Sequence, residues 1–125
     1  MIFAIGHDIV QNDRIKRLYD LYGEQFIKRI LSDDEQNILK NHNAKSYFIA
    51  KRFAAKEAFA KACGIGFRAP ILMPDITVIN DEMGKPVFNF NYAITKWLKE
   101  RNILNCHVSL SDELNMSSAV VILEK

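Results

Sequence analysis

The segment KRFAAKEAFAKACGIGF, from Lys51 to Phe67, constrains the fold of this chain more than any other stretch. It contains no proline and no glycine before Gly64, and alanine, the strongest helix former, recurs up to Cys63. A helix is expected from Lys45 to Cys63, closed by Gly64 as a left-handed cap. At 100° per residue Glu57 and Lys61 lie about 40° apart, flanking Ala50, while Phe48 and Phe59 fall on nearly the opposite side. The phenylalanines should therefore enter a core, and the alanines should keep the Glu57 side low and open. Taken alone, a Glu/Lys pair at this spacing is an ordinary solvated ion pair worth about 0.2–0.5 kcal/mol.

The rest of the chain supplies a frame for that helix. Met1 to Val10 reads as a strand closed by Asp8, because β-branched and aromatic residues cluster there without a helical start signal. From Asn12 to Ile30 apolar residues recur at helical spacing, with Gly23 as a break between two helices. Ser32 followed by Glu35 is a capping-box pattern that should start a short helix ending near Asn41 to Asn43. DITVIND and KPVFNFN read as two strands joined by a turn containing Gly84, and Asn91 can cap a helix carrying Ile94, Trp97 and Leu98. CHVSLSD and SSAVVILE read as two antiparallel strands with a short polar connection. The expected result is an α+β fold in a single domain, residues 1–125, with an antiparallel sheet packed with helices and no repeat or linker.

Composition narrows the function classes. A chain of 125 residues can bury one core without disulfides or a structural metal. Cys63 and Cys106 stand far apart, with no Cys/His cluster, so reduced thiols and a cytoplasmic location are expected. No apolar run approaches a membrane span, and the N-terminal MIFAIGHDIV has neither a basic leader nor a cleavage site. The formal net charge is only +2, yet Lys45, Lys51, Arg52, Lys56, Lys61 and Arg68 share one segment with a single acid, Glu57. Such a segment suits phosphate ligands, RNA, or a solvated helix face.

Asp8 separates these uses. A carboxylate on an apolar strand needs a partner if it is even partly buried. One aspartate on a core strand and one glutamate on a core-packed helix offer two hard oxygen ligands to Mg²⁺, which takes its other ligands from water and substrate phosphates. A non-catalytic basic module that binds RNA or a phosphorylated partner, the competing reading, has no use for carboxylates among its lysines.

GHDIVQNDRI, FIKRILSDDE, RFAAKEAFAKACGIGF, DITVINDEMGKPVF and HVSLSD, in that order, resemble holo-[acyl-carrier-protein] synthase, the short bacterial 4′-phosphopantetheinyl transferase family. The resemblance runs nearly end to end. It implies Mg²⁺-dependent transfer of 4′-phosphopantetheine from coenzyme A to a serine of an apo acyl carrier protein, releasing adenosine 3′,5′-bisphosphate, in support of fatty acid biosynthesis. By the same resemblance Asp8 and Glu57 bind Mg²⁺, and Lys61 touches the pyrophosphate and assists the departing phosphate. The base that takes the serine proton is left open between Glu57 and a water on the metal.

Other positions receive supporting roles by the same similarity. Arg52 would meet the 3′-phosphate, His107 the 3′-phosphate and adenosine end, and Gly84, Lys85 and Pro86 would shape the adenine pocket. The GIG at Gly64 is not expected to be a phosphate loop, since it follows a helix and faces its negative end; it would pack against pantetheine or nucleotide. Arg14, Arg17, Lys28 and Arg29 resemble the surface on which the family docks its acidic carrier. A homotrimer is implied, one subunit giving Asp8 and the Glu57 helix and its neighbour part of the nucleotide pocket. Two positions depart from the pattern. His7 stands beside the metal-binding aspartate, where a protonated imidazole would weaken Mg²⁺ binding, and Asp112 stands where many members carry a histidine.

Overall fold

The computed structural model describes residues 1–125. Strand β1 (Ile2–Gln11) leads into helices α1 (Asn12–Tyr22), α2 (Glu24–Ile30), α3 (Asp33–Lys40) and the long α4 (Lys45–Cys63). A single 3-10 turn at Met73–Asp75 precedes the strands β2 (Ile76–Asn80) and β3 (Pro86–Phe90). Helix α5 (Tyr92–Glu100) then leads to β4 (Asn105–Asp112) and β5 (Met116–Glu124). The architecture is the expected α+β one.

Two sheets result, both antiparallel: a three-stranded sheet in the order β1-β5-β4 and the β2-β3 hairpin. β5 is central because its inward residues Ser117, Ala119, Val121 and Leu123 are all buried, an alternation that suits a sheet with one face packed on a helix. Helix α4 lies across β1 and β5. On β1, Ala4, Gly6, Asp8 and Val10 face that helix, and Ile5, His7 and Ile9 project from the other face. Contrary to expectation, Asp8 does not close the strand. Ile9, Val10 and Gln11 continue the pairing with Ser118, Ser117 and Met116, because Val10 still has a core to enter.

The local signals act as the residue chemistry requires. Gly23, at φ 50° and ψ −122°, turns the chain between α1 and α2 in a backbone region that side chains disfavour. The Ser32 hydroxyl accepts from the Glu35 amide, and the Glu35 carboxylate accepts from the Ser32 amide, so both halves of the capping box are present. Asn91 Oδ1 accepts from the Ile94 amide at 3.0 Å and starts α5. Gly64 ends α4 in the left-handed conformation, its amide bonded to the Ala60 carbonyl.

Helix α4 is more deeply enclosed than its sequence suggests. Phe59 is buried and its ring packs at 5.3 Å and 4.8 Å from those of Phe88 and Phe90, which seats the hairpin on that flank. Ala50, Ala54 and Ala58 are also buried, so the expected open alanine surface does not exist. Their small side chains instead let the sheet come close. Lys56, counted above among the surface charges, is wholly buried: its ammonium donates to the Glu35 carboxylate and to the Ile30 and Met73 carbonyls. Glu35 in turn accepts from the Val78 amide at 2.8 Å, so one ion pair ties α2, α3, α4 and β2 together.

Candidate active site

Three of the residues singled out from the sequence meet where β1 crosses α4. Asp8 faces the helix from β1, and Lys61 Nζ donates to its Oδ1 and to the His7 carbonyl, each at 3.0 Å. The aspartate side chain is only 15% exposed, whereas that of Lys61 is 55% exposed. The amine therefore has room to move to another partner. Glu57, one helical turn before Lys61, is half-buried, and its carboxyl is held above the usual range, first by burial and then by the charge of Asp8; Lys61 and Arg14 oppose this. Two carboxylates thus share a partly dehydrated site with one ammonium beside them, an arrangement that favours a further cation.

The donor set fits Mg²⁺. No group of three or more His, Cys, Asp or Glu residues forms a metal cage anywhere in the chain, which argues against a closed transition-metal site. Two hard carboxylate ligands beside a half-exposed amine are what Mg²⁺ accepts when phosphate oxygens and water complete its shell.

The remaining candidate residues are placed unevenly. Arg14 lies close enough to Glu57 to lower its affinity for a proton, and its guanidinium stands 5.8 Å from the centre of the Phe53 ring. Arg17, Lys28 and Arg29 are exposed on α1 and α2. Around that surface a cleft of about 430 Å³ is lined by Leu18, Tyr22, Phe26, Arg29 and Ile30 among others. Arg52, read from the sequence as reaching for phosphate, is 6% exposed, stacks 4.0 Å over the Phe48 ring, and leaves its Nε without a hydrogen-bond partner. Burial pushes its proton affinity down.

Gly84, Lys85 and Pro86 belong to the hairpin that packs on Phe59, the flank of α4 turned away from Glu57. His107 projects from the outer face of the sheet, with its Nε2 2.6 Å from Glu124 Oε1. Within one chain neither group joins Asp8, Glu57 and Lys61. His7 also departs from expectation: its side chain is exposed on the face of β1 opposite Asp8, because neighbouring strand residues alternate, and only its carbonyl touches the site through Lys61. Asp112 is exposed at the end of β4, on the rim of a cleft formed with the β4-β5 turn.

Comparison with known proteins identifies the family and the fold. Residues 4–117 match the family model described as the 4′-phosphopantetheinyl transferase superfamily. The holo-[acyl-carrier-protein] synthase of Nitrosomonas europaea is 47% identical over 125 residues, covering 100% of both chains. The crystal structure of holo-[acyl-carrier-protein] synthase from Neisseria meningitidis superimposes with a TM-score of 0.97 at 42% identity, again over 100% of both chains. A holo-(acyl-carrier-protein) synthase from Bacillus anthracis, solved in complex with CoA (3′,5′-ADP), gives a TM-score of 0.83 at 34% identity, covering 98% of this chain and 96% of that one. The chain therefore belongs to the 4′-phosphopantetheinyl transferase superfamily and, within it, to the holo-[acyl-carrier-protein] synthase family.

Proposed function

We propose that this chain transfers the 4′-phosphopantetheine group of coenzyme A to a serine of an apo acyl carrier protein, with Mg²⁺ held by Asp8 and Glu57. The observation that carries the reading is the meeting of these two carboxylates with Lys61 at the β1-α4 crossing, in a chain whose full-length relatives bear that activity in their names. In the reaction the serine oxygen forms a bond to the phosphorus next to pantetheine. The bond from that phosphorus to the bridging oxygen breaks, and adenosine 3′,5′-bisphosphate leaves with the electron pair. When bound, Mg²⁺ supplies charge neutralisation at the pyrophosphate.

The residues of the chain then have distinct tasks. Lys61, more than half exposed, moves from Asp8 to the pyrophosphate and steadies the departing phosphate. Glu57, whose proton affinity is raised first by burial and then by Asp8, shares with a water on the metal the role of accepting the serine proton. Gly64 borders the pantetheine path, whereas Arg52, buried against the Phe48 ring, serves the packing of α4 rather than the 3′-phosphate. Arg14, Arg17, Lys28 and Arg29 receive the acidic carrier, chiefly by raising the rate of encounter.

A homotrimer with sites at subunit interfaces follows from the same reading. The outer face of the three-stranded sheet exposes Ile5, Ile9, Val120 and Met116 at 60%, 55%, 38% and 40%, an apolar surface of the kind that marks an interface. His107 stands on that face and the Gly84 to Pro86 turn lies away from Glu57, so a neighbouring subunit is the natural source of the nucleotide pocket. No helix is long and apolar enough to cross a membrane, in keeping with a cytoplasmic enzyme that readies carrier protein for fatty acid synthesis. The RNA-binding alternative loses ground because Lys56 and Arg52 are buried and leave the basic surface it needed.

The direct test mixes the protein with Mg²⁺, coenzyme A and an apo carrier protein and looks by mass spectrometry for one added phosphopantetheine. Absence of transfer, or transfer undiminished by Glu57→Gln, would sink the mechanism. Light scattering that reports a monomer would remove the trimer.

A further inference from the structure

Gly6 lies at the point where β1 passes over α4, two residues before Asp8 and on the same face of the strand. A Cβ built on Gly6 would stand 1.8 Å from the Ala58 carbonyl oxygen, 2.9 Å from the Ala58 carbonyl carbon and 2.8 Å from the Ala62 amide nitrogen. All three obstacles are helix backbone, which cannot rotate aside as a side chain would. They also belong to the turn of α4 that carries the site, since Ala58 follows Glu57 and Ala62 follows Lys61. The other residues of β1 that face the helix do bear side chains: Ala4 is partly buried and Val10 is 3% exposed. The strand and helix are thus tightest at Gly6, beside the carboxylates, and wider on either side.

We propose that Gly6 is a positioning residue for the reaction: by having no side chain it sets the gap between β1 and α4, and so places the Asp8 carboxylate against Glu57 and Lys61. The inference rests on the reading of Asp8 and Glu57 as a metal-binding pair. A methyl group on residue 6 must retreat from 1.8 Å to an ordinary carbon-oxygen separation of about 3.3 Å, so the strand lifts by about 1.5 Å. One added methylene lengthens a carboxylate side chain by about the same amount. Asp8→Glu should therefore repair part of the damage done by Gly6→Ala, although in the parent chain it overfills the site. A glycine needed only for packing gives no reason for such a repair.

The test uses Mn²⁺ alone, its binding to the full chain read by electron paramagnetic resonance, with circular dichroism to establish folding. Gly6→Ala is expected to weaken Mn²⁺ binding by about tenfold or more, as displaced supporting residues do at metal sites. Asp8→Glu should weaken binding in the parent chain but strengthen it in the Gly6→Ala background. In the transfer assay the Mg²⁺ concentration for half-maximal rate should move in the same order. If Gly6→Ala does not fold, Ala58→Ser, which thickens the same crossing from the helix side, is measured instead, with Asp8→Glu again added. Unchanged Mn²⁺ affinity in the folded variant, or an Asp8→Glu change that weakens binding equally in both backgrounds, overturns the proposal. A parent chain that binds Mn²⁺ but transfers nothing refutes the transferase reading and leaves the Gly6 comparison decidable.

Discussion

Lys56 and Lys61 stand five residues apart on one helix, in one basic segment, and nothing in their neighbours' chemistry tells them apart. Lys56 is wholly buried, with three oxygen partners contributed by α2, α3 and the turn at Met73. Lys61 is 55% exposed and rests on Asp8 and the His7 carbonyl. Burial opposes the charge of Lys56 and lowers its pKa to about 8, with the Glu35 carboxylate pulling the other way, so the ammonium is still favoured at neutral pH. The first lysine is committed to the fold and the second remains free to serve a ligand. Depth, and the number of fixed acceptors, makes the difference.

The comparison can be broken most forcibly at the buried pair. Lys56→Met leaves Glu35 as an uncompensated buried charge and should cost about 3–5 kcal/mol of stability, read by urea denaturation. If the variant unfolds at the same urea concentration as the parent, Lys56 does not hold the fold together. At the other site the expectations are reversed. Lys61→Gln should lower the transfer rate by about tenfold to a hundredfold, about 1.4–2.7 kcal/mol in the barrier, with a stability change under about 1 kcal/mol because the amine is more than half exposed. A large loss of stability with normal turnover would erase the distinction between the two lysines.

Smaller effects sharpen the same contrast. Ser32→Ala removes one half of the capping box that holds Glu35 in place and should cost about 1 kcal/mol, measured by thermal unfolding. Glu57→Gln should abolish most transfer yet, in metal-free buffer, raise the melting temperature slightly. The reason is that burial and Asp8 both work against the Glu57 charge in the folded chain. A fall in melting temperature would mean that the attraction of Lys61 and Arg14 outweighs them.

Much of the frame was legible because it is encoded locally. The capping box, the Gly64 cap, the Asn91 cap and the break at Gly23 each depend on residues within a few positions of one another, and each occurs where the pattern places it. The association of Asp8, Glu57 and Lys61 was legible only through spacing and family resemblance, since Asp8 is 53 positions from Lys61 along the chain. What misled was depth. Alanines at Ala50, Ala54 and Ala58 signal equally a shallow open face or a tight helix-sheet contact, and helical periodicity does not say how many neighbours will surround a helix. Arg52 and Lys56 were read as surface charge for that reason, and His7, read from its adjacency to Asp8 as a neighbour of the metal, lies on the opposite face because successive strand residues alternate.

By itself, then, the sequence determined the elements and their ends, since caps, turns and apolar periods act over a few residues of backbone. It also carried the two carboxylates and the amine whose chemistry suits a metal and a pyrophosphate. Only the tertiary structure decided which charges are buried and which are free, because burial depends on what the rest of the chain brings against each face. The same holds for the crossing at Gly6. That a missing side chain there brings strand and helix into contact, and so two distant acids into one site, is a matter of packing distances that no local pattern records.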